Sequence, residues 1–292
     1  TEHSIHDYRT GLEKYTYGPW SNKRIREITT QNIWDLIKRG PVAEKSRGHQ
    51  KNVLKFIRNA FGFAVQQNYI QRNPCPVIKF KLGDKVKKVL TEEEVRRCLN
   101  RAKEMRVEWY PVWAGALYTG LRSGELFALT WDRVNLDDRL ITVSASWSKK
   151  DGFKCTKSGH DRLVEIAMPF MEVLTELKFN SGGSPFVFPR LDKWETGEQA
   201  RELRMFLMGM GLPQIRFHDL RATWATILLS KGVEPIRVMK AGGWRDLKTL
   251  MFYIRLAGVD IRGMTDALDL HDPKRKPGRV ISINRKGNGN QE

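Results

Sequence analysis

The segment that decides the fold covers residues 118–126 and reads Tyr-Thr-Gly-Leu-Arg-Ser-Gly-Glu-Leu. Glycine commonly ends a helix, so Gly120 predicts that one helix stops here and that another begins soon after it. This spacing places Arg122 at the junction between the two elements. An arginine at such a junction is suited to hold a phosphate, because its planar guanidinium donates two parallel hydrogen bonds to phosphate oxygens.

A second arginine lies in residues 216–221, which read Arg-Phe-His-Asp-Leu-Arg and open a predicted helix that continues to residue 230. His218 and Arg221 are three positions apart and are therefore neighbours on one helix face. On its own, such a pair is also what an ordinary protein surface shows. Together with Arg122, the pair predicts two guanidinium groups that hold the non-bridging oxygens of one phosphate.

A third motif is Ala-Gly-Gly-Trp at residues 241–244, and Tyr253 follows nine positions after its tryptophan. A tyrosine on a helix is most often a residue at the edge of the core. Here the apolar spacing predicts that Tyr253 lies off the packed face of its helix. That face is predicted to consist of Leu247, Leu250, Met251 and Ile254.

These three motifs resemble those of the tyrosine site-specific recombinase family, also called the phage integrase family, and the resemblance covers residues 28–258. In that family two arginines clamp the scissile DNA phosphate and a tyrosine attacks it. The resemblance therefore implies that Arg122, Arg221 and Tyr253 are catalytic. It also implies a reaction without a cofactor, ATP or a metal, and the sequence contains no Walker motif or zinc cluster.

The resemblance further implies a lysine that lies on a turn between two strands and protonates the leaving oxygen. Residues 156–164 read Thr-Lys-Ser-Gly-His-Asp-Arg-Leu-Val and fit this turn if Lys157 is that lysine and His160 replaces a second basic residue. Lys154 lies three residues upstream and stays an alternative, since hairpin lengths vary. Most hairpin lysines are simply solvated.

Trp244 stands where many family members carry a second histidine. Its indole keeps one N–H donor and adds apolar packing, but it does not titrate. The resemblance implies that Trp244 helps to hold the phosphate and that His218 accepts the Tyr253 proton or binds the phosphate. Glu125 matches an acidic family position, and we expect it to orient Arg122 or the region of His218. An ordinary surface glutamate is the alternative.

The charge of the chain favours a polyanionic partner. The 292 residues include 51 Lys and Arg against 33 Asp and Glu, a formal net charge of +18. Residues 1–90 hold 18 of the basic and 7 of the acidic residues, so the basic excess is concentrated at the front. The absence of a long apolar run argues against a membrane span. Three cysteines favour a reducing compartment, and we expect a prokaryotic cytoplasmic protein that associates with the nucleoid.

The first part of the chain shows helix signals and no strand signals. Thr29 or Thr30 can begin one helix, and residues around 51–64 form an amphipathic helix with a basic face. We expect that face to contact DNA phosphates, together with a basic linker, although solvated surfaces show similar charges. The predicted DNA-binding residues are Lys51, Lys55, Arg58, Lys85, Lys87 and Lys88.

The second part mixes helices with a small antiparallel sheet. A capping box at Thr91 predicts a new helix, and residues 140–146 and 162–168 alternate like strands. The fold class is therefore mainly α with a small antiparallel β-sheet. The predicted units are a helical domain at residues 1–80, a basic linker at 81–90, a mixed α/β catalytic domain at 91–258, and a C-terminal segment at 259–292.

The resemblance implies that the first unit is a SAM-like core-binding domain and that the two domains form a C-shaped clamp around duplex DNA. Within the last unit, residues 259–270 have the apolar spacing of a helix that docks on a neighbouring subunit, and a basic flexible tail follows. Packing on its own subunit is the alternative. The chain begins at Thr1 without Met, so we expect an N-terminal truncation. The first residues lack the basic and then apolar segments of a signal peptide, so we do not expect secretion.

The function that follows is site-specific recombination of DNA, with a 3'-phosphotyrosine intermediate and a Holliday junction, for integration or excision of a mobile element or phage. The expected partners are double-stranded DNA with a specific site, three further copies of the chain in a tetramer, and accessory DNA-bending proteins. Two alternatives stay open. One is a type IB-like topoisomerase, and the other is a non-catalytic basic DNA-binding regulator.

Overall fold

The computed structural model describes residues 2–81, 88–149, 151–155, 161–188, 197–258 and 265. Lys85, Lys87 and Lys157 lie outside these residues, as does the predicted docking helix except for Thr265. The described helices are α1 (Glu2–Trp20), α2 (Thr30–Lys38), α3 (Arg47–Gln66), α4 (Glu92–Glu104), α5 (Tyr110–Thr119), α6 (Ser123–Phe127), α7 (Met168–Phe179), α8 (Glu198–Gly209), α9 (Phe217–Ser230), α10 (Pro235–Gly242) and α11 (Leu247–Ala257). The strands are β1 (Val134–Asn135), β2 (Leu140–Val143), β3 (Ala145–Ser148), β4 (Gly152–Cys155) and β5 (Arg162–Glu165).

The helices α1, α2 and α3 pack around a hydrophobic cluster of their own. The predicted start of α2 is confirmed, since the Thr29 hydroxyl accepts a hydrogen bond from the Asn32 amide at 3.3 Å. Helix α1 was not predicted, although it contributes Tyr15, whose hydroxyl lies 2.8 Å from Nε2 of His49 on α3. The buried members of this cluster are Tyr15, Ile33, Leu36, Ile37, Val42, Val53, Leu54, Ile57 and Phe61.

A second, larger cluster surrounds α5. The predicted capping box is confirmed at the start of α4, where the Thr91 hydroxyl accepts from the Glu94 amide and the Glu94 carboxylate accepts from the Thr91 amide. Helix α5 is apolar on all sides because it is enclosed by other elements: it contacts α4, α7 and α9. This central position fixes the end of α5, and thereby Gly120, in the interior of the protein.

The described strands form two small antiparallel sheets. The predicted pairing of two segments is confirmed for β2 and β5, with Ile141 opposite Val164, and β1 completes a sheet in the order β1-β2-β5. The predicted strand extents were too long. Residues 145–148 belong to a separate hairpin of β3 and β4, and β5 stops at Glu165 because α7 begins at Met168 with Pro169 in its first turn.

The helices α9, α10 and α11 form a third cluster. Here the predicted packed face of α11 is confirmed for Leu250 and Ile254, which pack in this cluster. It is wrong for Leu247 and Met251, which are 58% and 41% exposed, whereas Tyr253 is 1% exposed. A second stripe with the same spacing, Leu250, Tyr253, Ile254 and Ala257, faces the cluster instead. Periodicity alone allowed both stripes. None of the helices in the described ranges has the length and apolar character needed to cross a membrane.

Candidate active site

The predicted junction around Arg122 is present. Helix α5 ends at Gly120, whose φ of +64° lies in the left-handed region that favours glycine. A Cβ atom at this position would lie 2.4 Å from the ring of Trp224 on α9, so the close approach of the two helices also requires glycine. Arg122 is the residue that precedes α6. The junction that contains Arg122 thus packs against α9.

Arg221 is buried and is fixed by backbone carbonyls. Its Nη1 donates to the Gly120 carbonyl oxygen at 2.6 Å, and its Nη2 donates to the Gly242 carbonyl oxygen. The side chain therefore joins the end of α5 to the end of α10. Burial, and then the positive charge of Arg122, lower the pKa of Arg221 well below its usual value, to about 9. A bound anion would offset both effects, so this position favours a phosphate.

Three aromatic rings form a cluster beside the Arg221 guanidinium. The guanidinium carbon lies 4.1 Å from the centroid of the Trp244 ring, which lies 5.2 Å from the ring of Tyr253 and 6.1 Å from that of Trp224. A phenolate at Tyr253 acts to raise the pKa of Arg221, so the two groups are within electrostatic reach. The Tyr253 side chain is thus part of the core and also close to the arginine.

Glu125 is not a surface residue. It is 3% exposed, and its carboxylate accepts hydrogen bonds from the Arg122 amide at 2.8 Å and from Nη1 of Arg122 at 2.7 Å. Burial alone would raise the pKa of Glu125, but hydrogen bonds and charges from Arg162 and Arg122 hold that pKa below its usual value. The expected contact between Glu125 and Arg122 is therefore present, and the alternative of a surface glutamate is wrong.

Two further predicted site residues, His218 and Lys154, lie in the described part of the chain. His218 is exposed in the first turn of α9, which begins after Arg216. Lys154 lies on β4, where its Nζ pairs with the Asp151 carboxylate at 2.5 Å. Lys157 lies outside the described residues. No cluster of three or more His, Cys, Asp or Glu side chains suited to hold a metal ion occurs in the described part of the chain.

The site therefore combines an arginine pair, a buried glutamate and a tyrosine that lie on three helices: α6 with its N-cap, α9 and α11. Arg122 donates from Nη2 to the Gly243 carbonyl at 3.4 Å, next to the Gly242 carbonyl that Arg221 binds. Residues 88–258, more than half of the chain, match the family model described as "Phage integrase family". The chain belongs to the phage integrase family.

Two curated relatives match more of the chain than residues 88–258. The integrase is 26% identical over 264 residues to the ICEBs1 integrase of Bacillus subtilis, and this alignment covers 84% of this chain and 72% of the relative. It is 26% identical over 250 residues to tyrosine recombinase XerA of Saccharolobus solfataricus, covering 82% of this chain and 79% of the relative. The integrase is thus a tyrosine recombinase, an enzyme that breaks and rejoins DNA in a site-specific manner.

Solved structures show the same fold at low sequence identity. The Tn1549 transposon integrase in complex with transposon right end DNA matches with a TM-score of 0.72 and 18% identity, over 90% of this chain and 94% of that one. A lambda integrase tetramer bound to a Holliday junction matches with a TM-score of 0.67 and 17% identity, over 84% of this chain and 72% of that one. The fold of the integrase is accordingly that of known tyrosine recombinases.

Sequence reasoning missed one buried residue of the integrase site, Arg162. It appeared in the sequence only as part of the turn that contains Lys157. In the structure its guanidinium binds both carboxylate oxygens of Glu125. A signal was available, because strand alternation places Arg162 on the same side of β5 as the buried Val164. A charge on an inward-facing strand position requires an opposite charge.

The predicted DNA-binding residues that the structure describes are exposed: Lys51, Lys55, Arg58 and Lys88. Arg58 also has a structural contact, since its Nη2 donates to the Pro76 carbonyl oxygen at 2.8 Å. The side-chain amide of Asn73 donates to the Arg58 carbonyl at 2.9 Å. Arg58 therefore attaches the segment that follows α3, whereas Lys51 and Lys55 keep their ammonium groups exposed on that helix.

Proposed function

We propose that the integrase cleaves one DNA strand at a time by attack of the Tyr253 phenol oxygen on a backbone phosphate. The observation that carries this proposal is the position of Tyr253 beside Trp244, whose ring lies under the Arg221 guanidinium. A phosphate bound to Arg221 and Arg122 would thus lie close to the phenol.

The reaction balances without an external oxidant or energy source. The phenol oxygen forms a bond to phosphorus while the bond between phosphorus and the 5'-oxygen breaks. The phenol proton goes to a base, for which His218 is the proposed acceptor, and the 5'-oxygen takes a proton from Lys157 or Lys154. The product is a 3'-phosphotyrosine and a free 5'-hydroxyl. A 5'-hydroxyl from another strand reverses the step and rejoins the DNA.

The two arginines act on the charge that develops on the phosphate oxygens. Arg221 cannot rotate freely, since two carbonyls and the Trp244 ring hold its guanidinium plane. A donor that is already oriented costs no reorganisation at the moment of reaction, and losing one such donor typically reduces the rate by about 100- to 1000-fold. Because Tyr253 is buried in this structure, its attack requires that phosphate binding open the cluster around α11.

Recombination between two duplexes requires four cleavages, so we propose that four copies of the integrase assemble on DNA and form a Holliday junction. The lambda integrase tetramer bound to a Holliday junction and the ICEBs1 integrase support an assembly of this kind and a role in moving a genetic element. The excess of positive charge in residues 1–90 supports a helical domain that holds the other side of the duplex in a C-shaped clamp.

Covalent trapping tests this function. The integrase is incubated with a pool of randomised duplexes that carry a nick, so that the strand fragment released by cleavage diffuses away. Complexes that survive denaturation are recovered and their DNA is sequenced, which supplies a defined substrate. The wild-type integrase is expected to form an adduct, whereas Tyr253→Phe is expected to form none because it lacks the nucleophilic oxygen.

The matched control is Tyr118→Phe. Tyr118 is partly buried and stacks on Phe170 of α7, with ring centroids 5.8 Å apart. We expect this variant to form the adduct at the wild-type level. If the wild-type integrase binds DNA but forms no adduct on any duplex of the pool, the proposed chemistry is refuted and a DNA-binding regulator becomes the better description.

A further inference from the structure

Arg162 is a buried charge at the first position of β5. Only 8% of its side chain is exposed, and its guanidinium makes three hydrogen bonds. Nη1 and Nη2 donate to the two oxygens of Glu125 at 3.0 and 2.6 Å, and Nε donates to the Ala241 carbonyl oxygen at 2.9 Å. Burial of an arginine is costly unless such partners are present, so this arrangement is highly constrained.

The partners of Arg162 belong to two of the motifs that form the site. Glu125 also binds the amide and Nη1 of Arg122, so its carboxylate bridges the two arginines. Ala241 lies near the end of α10, just before Trp244. At the C-cap of that helix, a Cβ atom at Gly243 would lie 2.9 Å from Cδ of Arg162, so the backbone there packs directly on the arginine side chain.

We propose that Arg162 is a positioning residue, which holds the Arg122 guanidinium toward the scissile phosphate through Glu125 and does not touch the phosphate itself. This inference rests on the proposed function. A lysine at position 162 would keep the positive charge but would not reach both Glu125 oxygens and the Ala241 carbonyl, because an ammonium lacks the planar fork of a guanidinium. Arg162→Lys should therefore release Arg122 while leaving most of the fold in place.

The experiment measures single-turnover cleavage of the duplex selected by covalent trapping, with each rate divided by the folded fraction of the protein. We expect Arg162→Lys to cleave about 10- to 100-fold more slowly, with its affinity for the intact duplex within about twofold of wild type. The matched control is Arg139→Lys, since Arg139 pairs with Glu165 at the exposed opposite end of β5. It should cleave at the wild-type rate.

A second substrate separates two routes by which Arg162 could act. Replacing the bridging 5'-oxygen by sulfur gives a leaving group that departs without a proton, so it bypasses the lysine that acts as general acid. The defect of Arg162→Lys should persist on this substrate, because it lies in the binding of the phosphate oxygens. Recovery of the rate would overturn the proposal and show that Arg162 acts through the leaving-group proton.

The remaining outcomes are also decisive. If Arg162→Lys fails to fold, Glu125→Gln is used, since it keeps the size of the bridging side chain and must show slow cleavage with normal binding. A wild-type rate per folded molecule in either variant would make Arg162 a purely structural residue. If the wild-type integrase itself forms no adduct, the proposed function fails instead, so the two failures are distinguishable.

Discussion

The guanidinium carbon of Arg221 lies 4.1 Å from the centroid of the Trp244 ring. Such a cation–π contact contributes about 1 to 2 kcal/mol when it is shielded from water. It also fixes the plane of the guanidinium, whose donors are otherwise directed by the Gly120 and Gly242 carbonyls. Trp244 therefore supports Arg221 by its ring face, a role different from that of the hydrogen-bond donor expected from the sequence.

Substitutions of Trp244 separate these two roles. Trp244→Phe keeps a ring under Arg221 and should retain stability to within about 1 kcal/mol, whereas Trp244→Ala should lose about 2 to 3 kcal/mol of unfolding free energy. Cleavage by the alanine variant should fall at least about tenfold, while that by the phenylalanine variant stays near wild type. Cleavage by Trp244→Phe that is as slow as that by Trp244→Ala, at normal stability, would show that the indole N–H is required.

Gly120→Ala should destabilise the integrase strongly. Its φ is positive, and the new Cβ would lie 2.4 Å from the Trp224 ring, so either the helices separate or the ring moves. We expect a loss of at least about 2 kcal/mol in urea unfolding. The matched control is Gly48→Ala in α3, where nothing lies within 4 Å of the new atom. It should stabilise the protein by about 0.5 to 1 kcal/mol. Equal effects of Gly120→Ala and Gly48→Ala on stability would contradict the close packing of Gly120 against Trp224.

Glu125 should make the stability of the integrase depend on acid pH. Its pKa is held below the ordinary value in the folded protein, so the stabilisation is fully present above about pH 4.5 and is lost as the pH falls through the folded pKa. Glu125→Gln should therefore cost about 3 kcal/mol at pH 7, and this difference from wild type should shrink on acidification below pH 4.5. Urea unfolding at several pH values measures it.

The control for this prediction is Glu165→Gln. Glu165 pairs with Arg139 near the surface, and 66% of its side chain is exposed, so its removal should change stability by less than about 1 kcal/mol at any pH. A difference between wild type and Glu125→Gln that does not change between pH 7 and pH 3 would show that the carboxylate charge does not stabilise the fold.

The basic face of α3 should bind phosphates of duplex DNA. Lys51 and Lys55 are exposed one helical turn apart. Replacing both with glutamine should lower the slope of log affinity against log salt by about 1.8, since each phosphate contact contributes about 0.9. The matched control replaces Lys103 and Lys178, which pair with Glu172 and the Trp131 ring respectively. An unchanged slope in the Lys51 and Lys55 double variant would show that these lysines do not contact DNA phosphates.

The sequence predicted the helix starts and ends that bring the motifs together, because those points have local chemical signals. The hydroxyls of Thr29 and Thr91 satisfy free amides, and Gly120 adopts a positive φ that other residues avoid. Each of these signals depends on only a few neighbouring residues. For that reason, the position of Arg122 before α6 and that of Arg221 in α9 could be derived before the structure.

The features of the fold and the site that could not be predicted depend on contacts between residues far apart in the chain. Two apolar stripes on α11 had equal spacing, and only contact with the Trp224 and Trp244 rings selects the one that contains Tyr253. The bridge from Arg162 to Glu125 spans 37 positions, so no local pattern reveals it. The predicted strand at residues 140–146 joins the start of β3 to β2, because these residues alternate without an evident break. Domain boundaries and the roles of the site residues stay predictions.

The most direct test of the central claim identifies the residue that becomes linked to DNA. The trapped adduct is digested with a protease and a nuclease, and the peptide that retains a nucleotide is sequenced by mass spectrometry. We predict a single modified peptide from α11, with a 3'-phosphate ester on the Tyr253 oxygen. A nucleotide attached to any other residue, or an adduct of unchanged yield in Tyr253→Phe, would contradict the proposed mechanism.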